Sequence, residues 1–216
     1  MKHPGSEALY HFWSALRAGR SAPYKAEVTA QGLGRTLSAH VFMLEALTGG
    51  ELRFRLGGSA LHDLFGMELR GMSALSVMEG ESRARFADLA QEVLASGVVG
   101  VLSGEAVAAG GEAVGIEIVL APLRSDFGRM DRLLGAIHTL DGAREVAPVA
   151  RRCRLSDGSI RGLAAMEGPA AALPGFAEAP AGFAGKKPEL RVAGGASSPA
   201  PRRGVRRRDH LRVVKG

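Results

Sequence analysis

The segment from Glu51 to Met78, ELRFRLGGSALHDLFGMELRGMSALSVM, decides the fold. Leu52, Phe54 and Leu56 alternate with Arg53 and Arg55, the period-two pattern of a strand with one dry face. Gly57-Gly58 breaks that strand. Ser59 can then cap a short helix carrying Leu61, Leu64 and Phe65, Gly66 stops the helix, and Gly71 sets off another short piece holding Met72, Leu75 and Met78. A strand feeding stubby helices, with more strands downstream, describes an antiparallel sheet interrupted by a helical layer. Such a layer encloses either a pocket or a filled core between itself and the sheet.

Working toward the N-terminus, strand-like residues from Val41 to Leu47 meet Gly49-Gly50 and pair with the Leu52 strand as a hairpin. Before them, Pro23 breaks the chain and Thr29 caps a short helix through Leu37. Ser6 is read as the N-cap of an amphipathic helix whose stripe is Leu9, Phe12, Trp13 and Leu16, closed by Gly19. That stripe must cover something, either the sheet of its own domain or the same helix of a second subunit. Trp13 is read as a packing residue on it.

Working toward the C-terminus, Phe86, Leu89, Ala90, Val93 and Leu94 fall at i, i+3, i+4, i+7 and i+8, giving a helix from Ser82 to Ser96 capped by Gly97. Val98 to Val107 follows as a strand and Gly110-Gly111 turns it. Val114, Ile116, Ile118 and Leu120 alternate toward a core before Pro122, residues 124–132 form a polar loop, and Leu133 to Leu140 completes a fifth strand. The expected organisation is an N-terminal helix over 1–22, a five-stranded α+β domain over 23–142, a short extension over 143–167 and a disordered tail over 168–216.

Composition agrees. The chain has 216 residues, 46% of them hydrophobic and 23% charged, which suits one domain with a remainder. No apolar run approaches the roughly 18 residues of a membrane span, and Met-Lys-His-Pro does not open a signal peptide, so a cytoplasmic protein without membrane association is expected. The net charge of +6 is unevenly placed: the last 31 residues carry ten basic and two acidic groups, or +8, and the other 185 sum to −2. Six of the ten prolines lie beyond Gly168, which marks that stretch as disordered. Arg202, Arg203, Arg206, Arg207 and Arg208 in this tail can grip phosphates, so association with nucleic acid is an alternative function. With no aromatic residue from Lys186 onward, any such contact is blind to sequence and weakens with salt.

The order of elements, with Trp13 to Arg20, Phe54-Arg55-Leu56-Gly57-Gly58, Leu64-Phe65-Gly66 and Glu68-Leu69-Arg70-Gly71, resembles a PAS domain of a divergent stand-alone family common in alphaproteobacteria. The likeness runs from about Ser6 to Asp141. It implies five antiparallel strands with helices between the second and third. It also implies a non-catalytic sensory or docking module that meets a signalling protein, and in some cases its own copy, through shifts of the sheet and the N-terminal helix. A pocket between helices and sheet would be lined by Phe54, Leu56, Leu61, Phe65, Met72, Leu75, Phe86, Leu89, Ile118, Leu120 and Ile137, all equally suited to a filled core. Haem-binding relatives carry a histidine on the long connecting helix, and Ser82 to Ser96 has none. His62 is a distant candidate, and His40 and His138 are read as strand residues, so haem is disfavoured. Photoactive flavin relatives need an asparagine-cysteine-arginine context on the helical layer, and no cysteine precedes residue 153, so flavin-cysteine photochemistry is excluded. An unknown small metabolite, or no ligand, remains.

Two weaker signals lie beyond. Asp157-Gly158-Ser159-Ile160-Arg161-Gly162 matches the D-x-S-x-x-G half of the cyclic-dinucleotide motif of PilZ domains, but the upstream R-x-x-x-R pair is missing and an Asp-Gly hairpin turn is the preferred reading. Arg151, Arg152 and Arg154 surround Cys153 and would make its thiol a redox switch if they lowered its pKa, against the plainer reading of a solvated basic strand. Neither signal, nor any metal-ligand or carboxylate spacing, assembles the convergent titratable groups of an enzyme, so no catalytic activity is expected.

Overall fold

The computed structural model describes residues 1–140 and 151–161. Six antiparallel strands form one sheet in the order β2-β1-β5-β4-β3-β6: β1 Val41–Ala46, β2 Leu52–Gly57, β3 Val99–Ala108, β4 Ala113–Arg124, β5 Met130–Thr139 and β6 Arg151–Arg161. Between β2 and β3 run the short helix α3 (Ser59–Phe65), a 3-10 turn (Ala74–Val77) and the longer helix α4 (Ser82–Ser96). Ahead of β1 lie α1 (Pro4–Arg17) and α2 (Ala30–His40). The expected α+β class and the helical layer between strands two and three are present. The strand count is corrected from five to six.

The sixth strand comes from the 143–167 extension. Its residues alternate in burial: Arg151, Cys153 and Leu155 turn inward, while Arg152 and Arg154 are exposed. It pairs with β3 along its whole length, and a bulge between Ser103 and Gly104 leaves Ser156 as the extra residue. Asp157 and Gly158 lie inside this ladder opposite Ser103 and Leu102, so the expected Asp-Gly turn is a paired strand segment. The far edge of β6 is closed by the chain entering α4. The Glu79 amide donates to the Cys153 carbonyl at 2.9 Å, and the Leu155 amide donates to Ser82 Oγ at 2.9 Å.

Helices cover both faces of the sheet, and each face has its own core. On the inner face α3, the 3-10 turn and α4 pack onto Phe42, Leu44, Phe54, Ile116, Ile118, Leu120, Leu133 and Ile137. Gly135 is required there, because a Cβ at that position would enter the Phe42 ring. On the outer face Leu9, Tyr10 and Trp13 of α1 pack onto Val41, Met43, Val119, Ala121, Leu123, Leu134 and Ala136. Helix α1 thereby caps its own sheet, one of the two roles expected of it.

Several boundaries differ from expectation for local reasons. Helix α1 starts at Pro4, with His3 Nδ1 accepting from the Gly5 amide at 3.0 Å, and Ser6 lies buried inside the first turn instead of capping it. Strand β4 continues through Pro122 to Arg124. The β3–β4 ladder ends at Gly100 paired with Leu120, so the strand has a free edge at Pro122, where the missing N–H removes no ladder bond. Helix α4 matches its expected span, and Gly97 caps it in the left-handed region.

Candidate functional site

The expected pocket lining belongs to the interior between helices and sheet. Phe54, Leu61, Phe65, Phe86, Ile118, Leu120 and Ile137 meet there in a single buried core, with Met72, Leu75 and Leu89 half-buried against it. Leu56 does not join them and is 47% exposed. A bulge explains this: Met43 pairs with Leu56 and Leu44 with Phe54, so Arg55 is an extra residue and the alternation flips after it. Leu56 therefore sits beside Met43 on the outer side of the sheet, at the edge strand. His62 lies on α3 with its Nε2 3.3 Å from Glu68, and no residue of α4 is a histidine.

Cys153 reaches the inner core and is fully buried. Burial pushes its thiol up to about 12, the reverse of the shift expected from the flanking arginines. The guanidinium of Arg152 instead donates to the Ser76 carbonyl and that of Arg154 pairs with Glu79 at 3.3 Å. A buried thiol held in its neutral form is a packing group, and the redox-switch reading is withdrawn.

The outer face carries the polar chemistry. Trp13 is fully buried, and its indole N–H donates to the Pro122 carbonyl at 2.7 Å. Phe12 and Leu16, the rest of the expected stripe with Leu9, are half-buried. Glu117, buried on β4, accepts from the backbone amides of Lys2 at 2.6 Å and His3 at 3.1 Å, so a strand carboxylate grips the start of the helix. Burial alone would push this carboxyl up. The Ser6 hydroxyl beside it, the two donating amides and the terminal ammonium outweigh that and hold it below the usual carboxylate range. Sequence reasoning missed Glu117 because its partners lie more than 110 residues away.

The exit of α1 is stapled to the β4–β5 hairpin. The Arg124 amide donates to the Pro23 carbonyl at 2.8 Å and its guanidinium donates to Ser21 Oγ at 2.6 Å, and Tyr24 bridges Arg124 as a parallel partner. The hairpin is itself closed by Ser125 donating to Arg129 and Gly128 donating to Ser125, both at 2.8 Å. At its tip Phe127 is 91% exposed. The loop was foreseen as polar, which concealed this residue. Arg202, Arg203, Arg206, Arg207 and Arg208 lie outside the described residues.

A sheet in the order 2-1-5-4-3 with a helical layer between its second and third strands defines a small α+β module. A family model of the PAS domain matches residues 1–138, and the chain belongs to that family. Among solved structures, the light-state LOV domain of the blue-light photoreceptor Aureochrome1 is 15% identical with a TM-score of 0.40, covering 49% of this chain and 84% of that one. A LOV protein of Rhodobacter sphaeroides is 17% identical with a TM-score of 0.40, covering 49% and 61%. A PAS domain from Colwellia psychrerythraea is 13% identical with a TM-score of 0.34, covering 46% and 85%. Among curated proteins none matches. No helix among the described residues is long and apolar enough to cross a membrane.

Proposed function

We propose that this PAS domain is a non-catalytic regulatory module that acts through protein contacts, with the hairpin tip at the exit of α1 as its docking point. The observation that carries the reading is Phe127, a large aromatic side chain in open solvent on a hairpin held by short backbone hydrogen bonds. Aromatic anchors on rigid supports dominate the energetics of protein interfaces, and an exposed phenylalanine otherwise contributes nothing to folding. Tyr24, 37% exposed, stands on the bridge to the same hairpin and extends the apolar surface. Because residues 21–24 tie α1 to this hairpin, a shift of α1 on the outer face reaches the docking point through the backbone.

A photo-crosslinking phenylalanine analogue placed at position 127 in cells of the native host tests this. We expect a discrete protein adduct at 127 and none at Asp88, an exposed control on α4. Phe127→Ser should abolish the partner's binding while leaving the melting temperature unchanged. Absence of an adduct at 127 across growth conditions rejects the docking point. The +8 tail keeps nucleic acid as the second reading, and retention of DNA binding between about 50 and 200 mM salt would reject a purely electrostatic tail contact.

A further inference from the structure

A cleft of about 550 Å³ opens between the N-terminal half of α1 and α2, on the outer side of the sheet and apart from the helix-sheet interior. Its apolar wall includes Phe12, Leu33 and Leu37, and its floor is a stack of three imidazoles. His138, on β5, is 2% exposed. His3 lies parallel to it at 4.4 Å between centroids and 12° between planes, and His40 lies at 4.7 Å, tilted by 34°. Gly5 closes over the ring edge, where any Cβ would collide with it. His138 is thus enclosed by the two rings and by the Gly5 backbone along its nitrogen-bearing edge, and the imidazole edges left to face the cleft are those of His3 and His40.

The hydrogen-bonding roles of the flanking rings follow from their partners. His3 Nδ1 accepts from the Gly5 amide, so in the neutral ring the proton is on Nε2. His40 Nδ1 lies 3.3 Å from the Ile137 carbonyl, which can only accept, so that proton is on Nδ1 and Nε2 is a bare acceptor. The floor therefore offers N–H donors and lone-pair acceptors side by side. Stacked rings keep their in-plane lone pairs in separate planes, which does not favour their sharing one metal ion, and no metal-binding cluster occurs among the described residues. An anion would meet the ionised Glu117 beneath. A cation would meet the environment that keeps His138 itself neutral, its pKa held down to about 4 by burial and by the two neighbouring histidines.

We propose that this cleft binds a small uncharged molecule with an apolar body and one hydroxyl group, such as a phenol, whose hydroxyl both donates to and accepts from the histidine floor. The volume accommodates a substituted ring, and the phenyl and leucyl wall faces its apolar part. The inference is independent of the docking point at Phe127, since binding can be read directly.

The test is a titration of the full-length protein, 15N-labelled at histidine, with 4-ethylphenol, followed through the imidazole nitrogen resonances. We expect the His3 and His40 ring signals to shift saturably with a dissociation constant below about 1 mM. Ethylbenzene, lacking the hydroxyl, and 4-ethylbenzoate, carrying a charge, should each bind at least about tenfold more weakly. Ala8→Trp, an exposed change on α1 that fills the cleft, should abolish the shifts with the fold intact. The proposal is overturned if 4-ethylphenol leaves the three rings unmoved, if ethylbenzene or 4-ethylbenzoate binds as tightly, or if Ala8→Trp binds normally.

Discussion

The two faces of the sheet are built differently. The inner face buries apolar side chains from every strand against three helical pieces, and the titratable thiol in its core, Cys153, is neutral. The outer face buries a carboxylate and a histidine beneath one helix, and holds that helix by directional bonds from Trp13 and to Glu117. Apart from the buried Arg151, whose guanidinium donates to the Leu64 carbonyl at 3.3 Å, dispersion and burial weld the inner layer, and such packing has no single contact whose loss releases it. The outer helix packs through Leu9, Tyr10 and Trp13, and to that smaller apolar contact it adds a few discrete bonds that depend on geometry or charge. The contrast predicts that α1 is released before the rest of the fold, which hydrogen exchange can check.

The largest expected effects lie on the inner face. Phe86→Ala removes a fully buried ring from the N-terminal half of α4 and should cost about 3–5 kcal/mol in urea denaturation, with all probes reporting one transition. If β1 and β5 amides kept native hydrogen-exchange protection while α4 melted, the inner layer would not be the welded unit described here.

The pH dependence should separate the faces next. His138 has its pKa lowered to about 4 from 6.5, so between those values the unfolded chain binds a proton that the folded chain refuses. Stability contributed by the neutral ring is complete above about pH 6.5 and falls as the pH drops toward 4, by about 3 kcal/mol. The groups facing this ring are His3 and His40, with Glu117 opposing them. His3 is also lowered, mainly by burial, and adds loss in the same direction. Glu117, held below its ordinary range, adds loss as the pH falls below about 4.5. Cys153 works from the other end. Its thiol is raised to about 12 from 9.0, so above about pH 9 the unfolded chain loses a proton that the folded chain keeps, and stability falls as the pH rises. Cys153→Ala should remove that alkaline component and leave the acid limb unaltered. An acid limb that also disappears in Cys153→Ala would erase the distinction.

Trp13→Phe sharpens the outer half at smaller magnitude. It keeps most of the apolar surface and leaves the buried Pro122 carbonyl without its 2.7 Å donor, a loss of about 1–3 kcal/mol. Hydrogen exchange should show α1 amides opening while β4 and β5 remain protected. Equal loss of protection in both would mean that α1 is part of the global unit.

How much of this was legible depended on sequence distance. Helix α4, the glycine stops at Gly66 and Gly97, and the inward alternation of Ile116, Ile118 and Leu120 are local patterns, and each stands as expected. The sixth strand was not legible, because its inward positions begin with Arg151 and its Asp157-Gly158 pair carries a turn signal that the β3 ladder overrides. The histidine stack was invisible for a simpler reason. Residues 3, 40 and 138 share no spacing, and only the register of β5 against β1, with Ala136 opposite Val41, sets His138 beside the end of α2.

The smallest expected effect tests the finest point of that reading, the change of face within β2. Phe54 and Leu56 are two residues apart, and an unbroken strand would place both in the inner core. The bulge at Arg55 sends Phe54 inward and leaves Leu56 beside Met43 in solvent. Leu56→Thr introduces a β-branched strand former and removes little buried area, so its stability should lie within about 0.5 kcal/mol of the parent. Phe54→Ala should cost about 3–5 kcal/mol. The two variants, measured by the same urea titration, give opposite answers only if the alternation flips between them. A loss of more than about 2 kcal/mol in Leu56→Thr would mean that Leu56 is buried and that β2 pairs with β1 without the bulge.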